Sequence, residues 1–223
     1  MKILYAGYGP MGILGLINIF SENVLELDSV FVLDPESVSD QSSLIYEYAK
    51  KYSLKIINEV EIEKSNQIFD LIVSVHWRKK IGSNLINNSK MGGINLHPSL
   101  LPKYAGCSSL AWALIYKEKK VGFTWHLLNE EFDTGDIVLQ KKIDVKKNDN
   151  AFSLWNKVNL KGVNCINDAI KIVLKGKEKL NKQDLTKRSY FKRGFPTFEE
   201  LKNKFPKLKE DEYNRASYFP GKS

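Results

Sequence analysis

Residues 2–20 read KILYAGYGPMGILGLINIF, an apolar run that stops at a glycine-rich turn and restarts with helical spacing. Lys2 to Ala6 is expected as a strand and Met11 to Phe20 as a helix, because a run apolar at every residue must be covered on both faces. The alternation continues outward. Ser29 to Leu33 (SVFVL) predicts a second strand ending at Asp34, Ser42 to Tyr52 a helix, and Lys55 to Ile57 a short strand. Asp70 to His76 (DLIVSVH) and Gly93 to Leu96 (GINL) are further buried strands, the latter running into His97-Pro98-Ser99-Leu100-Leu101-Pro102. Apolar strands separated by helices imply an α/β fold with a doubly wound, mostly parallel sheet. The opening is not read as a signal peptide, since Gly7, Gly9, Pro10 and Gly12 interrupt it early and no cleavage site follows. No stretch reaches the roughly 18–20 apolar residues of a membrane span, so a soluble cytoplasmic protein with no membrane partner is expected.

After a helix near Ser109 to Tyr116 the pattern changes. Val121 to Leu128 and Asp136 to Val145 predict two longer strands joined by the polar NEEFDTG, an antiparallel addition to the sheet. Asn150 to Leu174 reads as one long amphipathic helix, with Phe152, Trp155, Val158, Val163, Ile166, Ile170 and Val173 directed to the core. Thr197 and Glu200 form a capping box for a short helix ending near Phe205. Residues 1–178 are taken as the main domain and 179–223 as a short basic appendage, whose Phe191, Phe195 and Tyr218 would suit a homodimer contact.

Among 223 residues, 43% hydrophobic and 27% charged side chains exclude a disordered or fibrous chain. The two cysteines, Cys107 and Cys165, lie in no CxxC or Cys/His cluster, which argues against a disulfide framework or a metal centre and for a reducing compartment. The net charge of +8 lies in the tail: residues 171–223 hold 15 Lys/Arg against 7 Asp/Glu, leaving 19 of each before them. Lysines mixed with asparagine and glutamate read as a solvated tail, so no nucleic-acid partner is expected.

Two segments carry chemistry. Gly7-Tyr8-Gly9-Pro10-Met11-Gly12 is a GxGxxG turn with Asp34 22 residues beyond it, the layout of a dinucleotide site, and by itself it suggests a nicotinamide-dependent oxidoreductase. The more specific segment is Asn95-Leu96-His97-Pro98-Ser99-Leu100-Leu101-Pro102 at the carboxyl end of a strand, followed by His126 and by Asp133-Thr134-Gly135-Asp136. Strand alternation points Asn95 and His97 to one side. An amide that donates to an oxyanion, an imidazole that manages a proton and a carboxylate that orients the imidazole suit acyl transfer to an amine. No nucleophile is then required, and Cys107 is read as a bystander because no base is marked for it.

The stretch INLHPSLLPKYAG…GFTWHLLNEEFDTGDIVLQKKIDV closely resembles the N10-formyltetrahydrofolate-dependent formyltransferases, over roughly residues 1 to 175. The resemblance implies a Rossmann-like formyltransferase fold, a catalytic triad at Asn95, His97 and Asp133, and N10-formyltetrahydrofolate as formyl donor. It also implies that Ile81, Leu85 and Ile86 wall the pterin pocket and that backbone around Glu131, Phe132 and Asp133 holds the pterin edge. Members acting on methionyl-tRNA carry a further C-terminal domain, and with 48 residues after Lys175 in this sequence a tRNA acceptor is not expected. Those acting on glycinamide ribonucleotide have a serine- and asparagine-rich first loop, unlike GYGPMG, and are the alternative. GYGPMG, SVHWRKKI, SSLAWALI, DNAFSLWNKV and SYFKRGFPTFEEL look most like the members that formylate nucleotide-linked 4-amino-4,6-dideoxy sugars for surface polysaccharide such as O-antigen. In that branch Arg78 resembles the residue that meets the diphosphate, and Tyr8, Gly9, Trp77 and Tyr104 fall at the acceptor site. Where many members read Tyr-Arg-Gly this chain has Tyr104-Ala105-Gly106.

Overall fold

The computed structural model describes residues 1–21, 29–33, 40–65 and 67–220. In chain order the first half runs β1 (Lys2–Gly7), α1 (Gly9–Ser21), β2 (Ser29–Leu33), α2 (Asp40–Lys51), β3 (Lys55–Ile57), α3 (Glu59–Ser65), β4 (Leu71–Val75), α4 (Ser83–Asn87) and β5 (Gly93–His97). Then come β6 (Ala105–Gly106), α5 (Ser109–Ile115), β7 (Lys120–Leu127), β8 (Ile137–Asp144), α6 (Ala151–Val163) and α7 (Ile166–Leu174). The tail supplies β9 (Tyr190–Phe191), α8 (Phe198–Lys204) and α9 (Glu210–Ser217). Seven strands form one sheet in the order β3-β2-β1-β4-β5-β7-β8. The first five are parallel, β7 is antiparallel to β5 and β8 to β7. This is the expected doubly wound α/β fold with its antiparallel addition. The expected acidic residue after β2, Asp34, lies outside the described residues.

The first-turn glycines have a packing role. Tyr5 is fully buried in β1, and its ring occupies the space that a Cβ on Gly7 or Gly15 would need. Its hydroxyl donates to the Gly12 carbonyl. Packing thus accounts for the first-turn glycines: Tyr5 for Gly7, the Gly7 backbone for Gly12, and a left-handed backbone (φ 65°) for Gly9.

Two expectations fail for identifiable reasons. The single helix over 150–174 is two helices, because the carbonyls ending α6 are taken by side chains from elsewhere: Trp125 Nε1 donates to Gly162 O at 2.9 Å and Asn18 Nδ2 to Val163 O at 3.3 Å. Val158, Val163, Ile166, Ile170 and Val173 are buried as expected, whereas Phe152 and Trp155, on the first turns of α6, line cavities. The tail, expected as an appendage, shares the main core. Leu201, Leu208 and Ala216 are buried in it, and each fully buried leucine contributes about 1.5–3 kcal/mol. Phe191 stacks on Trp112 with centroids 4.4 Å apart, and Phe195 meets the same ring edge-on at 5.3 Å. Two of the three expected dimer contacts are therefore engaged within their own chain, while Tyr218 is exposed.

Candidate active site

Between β1 and β4 the strand order reverses, and the crevice beyond their carboxyl ends is where open α/β sheets place ligands. Tyr8 and Gly9 follow β1, His76, Trp77 and Arg78 follow β4, and β5 ends on His97. A cleft of about 510 Å³ is lined by Asn95, His97, His126 and Asp133 at one part and by Trp77, Ile81, Glu131 and Phe132 at another. A second cavity of about 400 Å³ is lined by Tyr8, Gly9, Phe152 and others, and shares His76, Arg78 and Trp155 with the first.

The polar group is assembled by register. Ser74, the one polar residue of β4, is buried and its hydroxyl donates to Asn95 Oδ1 at 2.8 Å. The Asn95 amide nitrogen is thereby turned toward His126 Nε2, 3.2 Å away, on the residue directly opposite across the β5–β7 ladder. His126 Nδ1 lies 2.8 Å from its neighbour Leu127 O and donates to it, so Nε2 offers a lone pair to one Asn95 N–H and the other is left for a ligand. His97 has an acceptor at each nitrogen: Tyr104 O at 2.9 Å from Nε2 and Asp133 Oδ2 at 3.6 Å from Nδ1. An imidazolium ring satisfies both.

Asp133 is set by its loop. It adopts a left-handed backbone (φ 59°), and Gly135 lets the loop lie where a Cβ would run into the Leu127 carbonyl. Its Oδ2 accepts from the Gly106 N–H at 2.8 Å and its Oδ1 is 3.5 Å from His126 Nε2. Burial opposes ionisation of this carboxyl, but the neighbouring His97 and the Gly106 N–H outweigh it and hold the pKa well below the usual carboxylate range. Gln183 of the tail donates to the carbonyls of Asp133 and Gly135, and Arg188 to that of Phe132. β9 pairs with β6, and the Ser189 hydroxyl accepts from the Tyr104 N–H at 2.8 Å. The tail therefore fixes both loops that hold His97 and Asp133.

Of the residues expected from sequence, Asn95, His97 and Asp133 converge in the cleft with Trp77, Arg78, Ile81, Glu131 and Phe132, while Tyr8 and Gly9 line the adjoining cavity. Leu85 and Ile86 sit behind Ile81 in a second core cluster. Tyr104 is placed differently from expectation. Its backbone is left-handed (φ 59°), its hydroxyl donates to Glu118 at 2.9 Å and its ring stacks on Phe191, so only its carbonyl reaches His97. Burial and Glu118 raise the Tyr104 pKa. Ala105 is fully buried beside β9, and Arg193 of the tail is a guanidinium that lines the cleft. Arg78 stacks on the Tyr8 ring at 4.8 Å and donates to its hydroxyl at 3.0 Å. Cys107 is exposed at the cleft. Sequence reasoning gave no role to His76, His126 or Gln183; for His126 the available signal was its rarity, as one of three histidines. Among the described residues, no group of three or more His, Cys, Asp or Glu could hold a metal ion.

The pattern of the family described as formyl transferase matches residues 34–170, more than half of the chain. The GDP-perosamine N-formyltransferase of Brucella melitensis biotype 1 is 35% identical over 151 residues, which are 68% of this chain and 58% of that protein. The chain thus spans less than two thirds of that relative's length. Among solved structures, the N-formyltransferase from Helicobacter canadensis in complex with folinic acid and dTDP-3-aminofucose superposes with a TM-score of 0.70 at 25% identity, over 86% of this chain and 71% of that one. WlaRD, a sugar 3N-formyl transferase solved in the presence of dTDP and 5-N-formyl-THF, gives a TM-score of 0.67 at 26% identity, over 86% and 70%. With the fold, the Asn95–His97–Asp133 constellation and the family match in agreement, the chain belongs to the formyl transferase family.

Proposed function

We propose that the protein transfers a formyl group from N10-formyltetrahydrofolate to the amino group of a nucleotide-linked amino sugar. The observation that carries this reading is the convergence of Asn95, His97 and Asp133 in a cleft that shares a wall with a second cavity, one compartment for each substrate. Ile81 and the backbone of Glu131 to Asp133 hold the pterin end, with Leu85 and Ile86 supporting Ile81 from behind. Arg78, stacked on Tyr8 at the shared wall, meets the diphosphate. The uncommitted Asn95 N–H and the His97 ring, oriented by Asp133 through Nδ1, stabilise the oxyanion that develops as the amine attacks the formyl carbon. The relatives that formylate sugars support the acceptor class.

The amine is placed at C4 of a 4,6-dideoxy sugar; a 3-amino sugar is the competing acceptor, because two structural relatives are described with 3-amino or 3N chemistry. The same reading puts the enzyme in the cytoplasm, in surface polysaccharide synthesis, as a homodimer that covers the exposed Tyr218. Mass spectrometry of nucleotide-linked 3-amino and 4-amino sugars incubated with the protein and the folate donor tests it, with glycinamide ribonucleotide and methionyl-tRNA alongside. One added formyl group on a 4-amino sugar is expected. Formylation of a 3-amino sugar moves the position, and formylation of glycinamide ribonucleotide or methionyl-tRNA alone overturns the acceptor class.

A further inference from the structure

Proton transfer in the proposed reaction lacks an evident acceptor among Asn95, His97, His126 and Asp133. An attacking amine must lose a proton, yet both nitrogens of His97 face acceptors and those of His126 are engaged by Leu127 O and the Asn95 amide. Asp133 is held ionised by His97 and the Gly106 N–H, which makes it a weak base.

His76, the remaining histidine, is differently arranged. It follows β4 with a left-handed backbone (φ 57°), a conformation few residues with a side chain adopt. Its ring meets α6, edge-on to Trp155 at 5.2 Å between centroids, with Nε2 2.7 Å from Asn159 Oδ1. Asn159 is fully buried, and its Nδ2 donates to Trp155 O at 2.8 Å. With that amide nitrogen committed to a carbonyl, the oxygen must face His76, so Nε2 carries the proton and Nδ1 keeps the lone pair. Nδ1 has no hydrogen-bond partner among the described residues. The ring also sits on the wall shared by the two cavities. Burial lowers the pKa of His76, the Asn159 bond acts against this, and His97 adds to the lowering. The other charged groups lining its cleft are Arg78, Lys79 and Lys80 of its own loop and Glu130, Glu131, Asp133 and Arg193 of the facing segments, while α6 presents the neutral Asn159 and Trp155.

We propose that His76 is a catalytic residue that accepts the acceptor amine's proton at Nδ1, an assignment that rests on the transfer reading above. In this step the bond from the acceptor nitrogen to the formyl carbon forms and the bond from that carbon to N10 breaks. The acceptor nitrogen gives one proton to His76, N10 receives one from the His97 imidazolium, and both histidines re-equilibrate with water.

The test measures kcat and acceptor KM across pH for the wild type, His76→Gln and Asn159→Asp. His76→Gln is expected to lose on the order of 10²–10³ in kcat with little change in acceptor KM. Asn159→Asp keeps the ring but pairs it with a carboxylate, so the acidic limb of its kcat profile should move to higher pH, with rate recovered under alkaline conditions; a merely structural role would not move that limb. Long-range 1H–15N NMR of the unliganded wild type should show the Nε2–H tautomer, a readout independent of turnover. A His76→Gln enzyme with wild-type kcat, an unmoved limb in Asn159→Asp, or an Nδ1–H tautomer overturns the assignment alone. Absence of turnover in the wild type overturns the transfer reading and this assignment together.

Discussion

Gln183 donates from its side-chain amide to the carbonyl oxygens of Asp133, at 3.1 Å, and Gly135, at 2.6 Å, joining the tail to the loop that carries the carboxylate. Two neutral hydrogen bonds are together worth about 1–3 kcal/mol, more if the carbonyls are left without a partner. Gln183→Leu should therefore lower the urea midpoint and reduce kcat several-fold as the loop loosens. Paired chemical denaturation and steady-state kinetics check this, and an enzyme unchanged in both would show that the tail does not set the loop.

Tyr104 separates backbone from side chain. Its carbonyl holds His97, whereas its hydroxyl bonds to Glu118 on the far side of the loop. Tyr104→Phe should cost about 1 kcal/mol of stability with kcat unchanged. A kcat loss comparable to that of His97→Ala would contradict this placement.

The Asp133 carboxyl has a folded-state pKa below its unfolded value of about 4. Its contribution to stability is accordingly complete above that value and disappears as the pH falls toward the native pKa. Asp133→Asn removes the contribution while leaving other depressed carboxylates, such as Asp70 and Asp149, in both proteins. Between about pH 5 and pH 3 the wild-type urea midpoint should fall more steeply than that of Asp133→Asn. Parallel slopes would place the carboxylate's partners elsewhere.

Arg78 reaches the wall common to both cavities by stacking on Tyr8. Loss of a charge-assisted contact to a diphosphate costs about 1.5–3 kcal/mol, so Arg78→Ala should raise the acceptor KM roughly tenfold or more with a smaller effect on kcat. Arg78→Lys should recover little, because an ammonium does not reproduce a stacked planar fork. Folate affinity, measured by fluorescence titration, should be unchanged in both.

Much of this architecture is legible in the chain because local pattern and burial agree. β2 and β3 begin and end where SVFVL and KII do, and strand alternation alone places Asn95 and His97 on one side. What is not legible depends on partners distant in sequence. His126 faces Asn95 only because β7 runs antiparallel to β5 in one register, with an irregularity between Trp125 and His126 against β8. The break between α6 and α7 depends on Trp125 taking the Gly162 carbonyl from 37 residues away. Tyr104 and His76 are redirected by left-handed backbones that no composition rule assigns to tyrosine or histidine. Phe152 and Trp155 have the spacing of core residues, but on the first turns of α6 it is Ala151 and Leu154 that are buried in the core, while Phe152 and Trp155 line a cavity.

If Asn95 and His97 stabilise the oxyanion of formyl transfer to a nucleotide-linked amino sugar, loss of either side chain must slow the chemical step itself. The most direct measurement is the single-turnover rate of formyl transfer by Asn95→Ala and His97→Ala beside the wild type, with near-ultraviolet circular dichroism establishing that both variants are folded. Losses on the order of 10²–10³ or more in each folded variant are expected. Near-wild-type transfer by either one would show that its side chain does not stabilise the oxyanion.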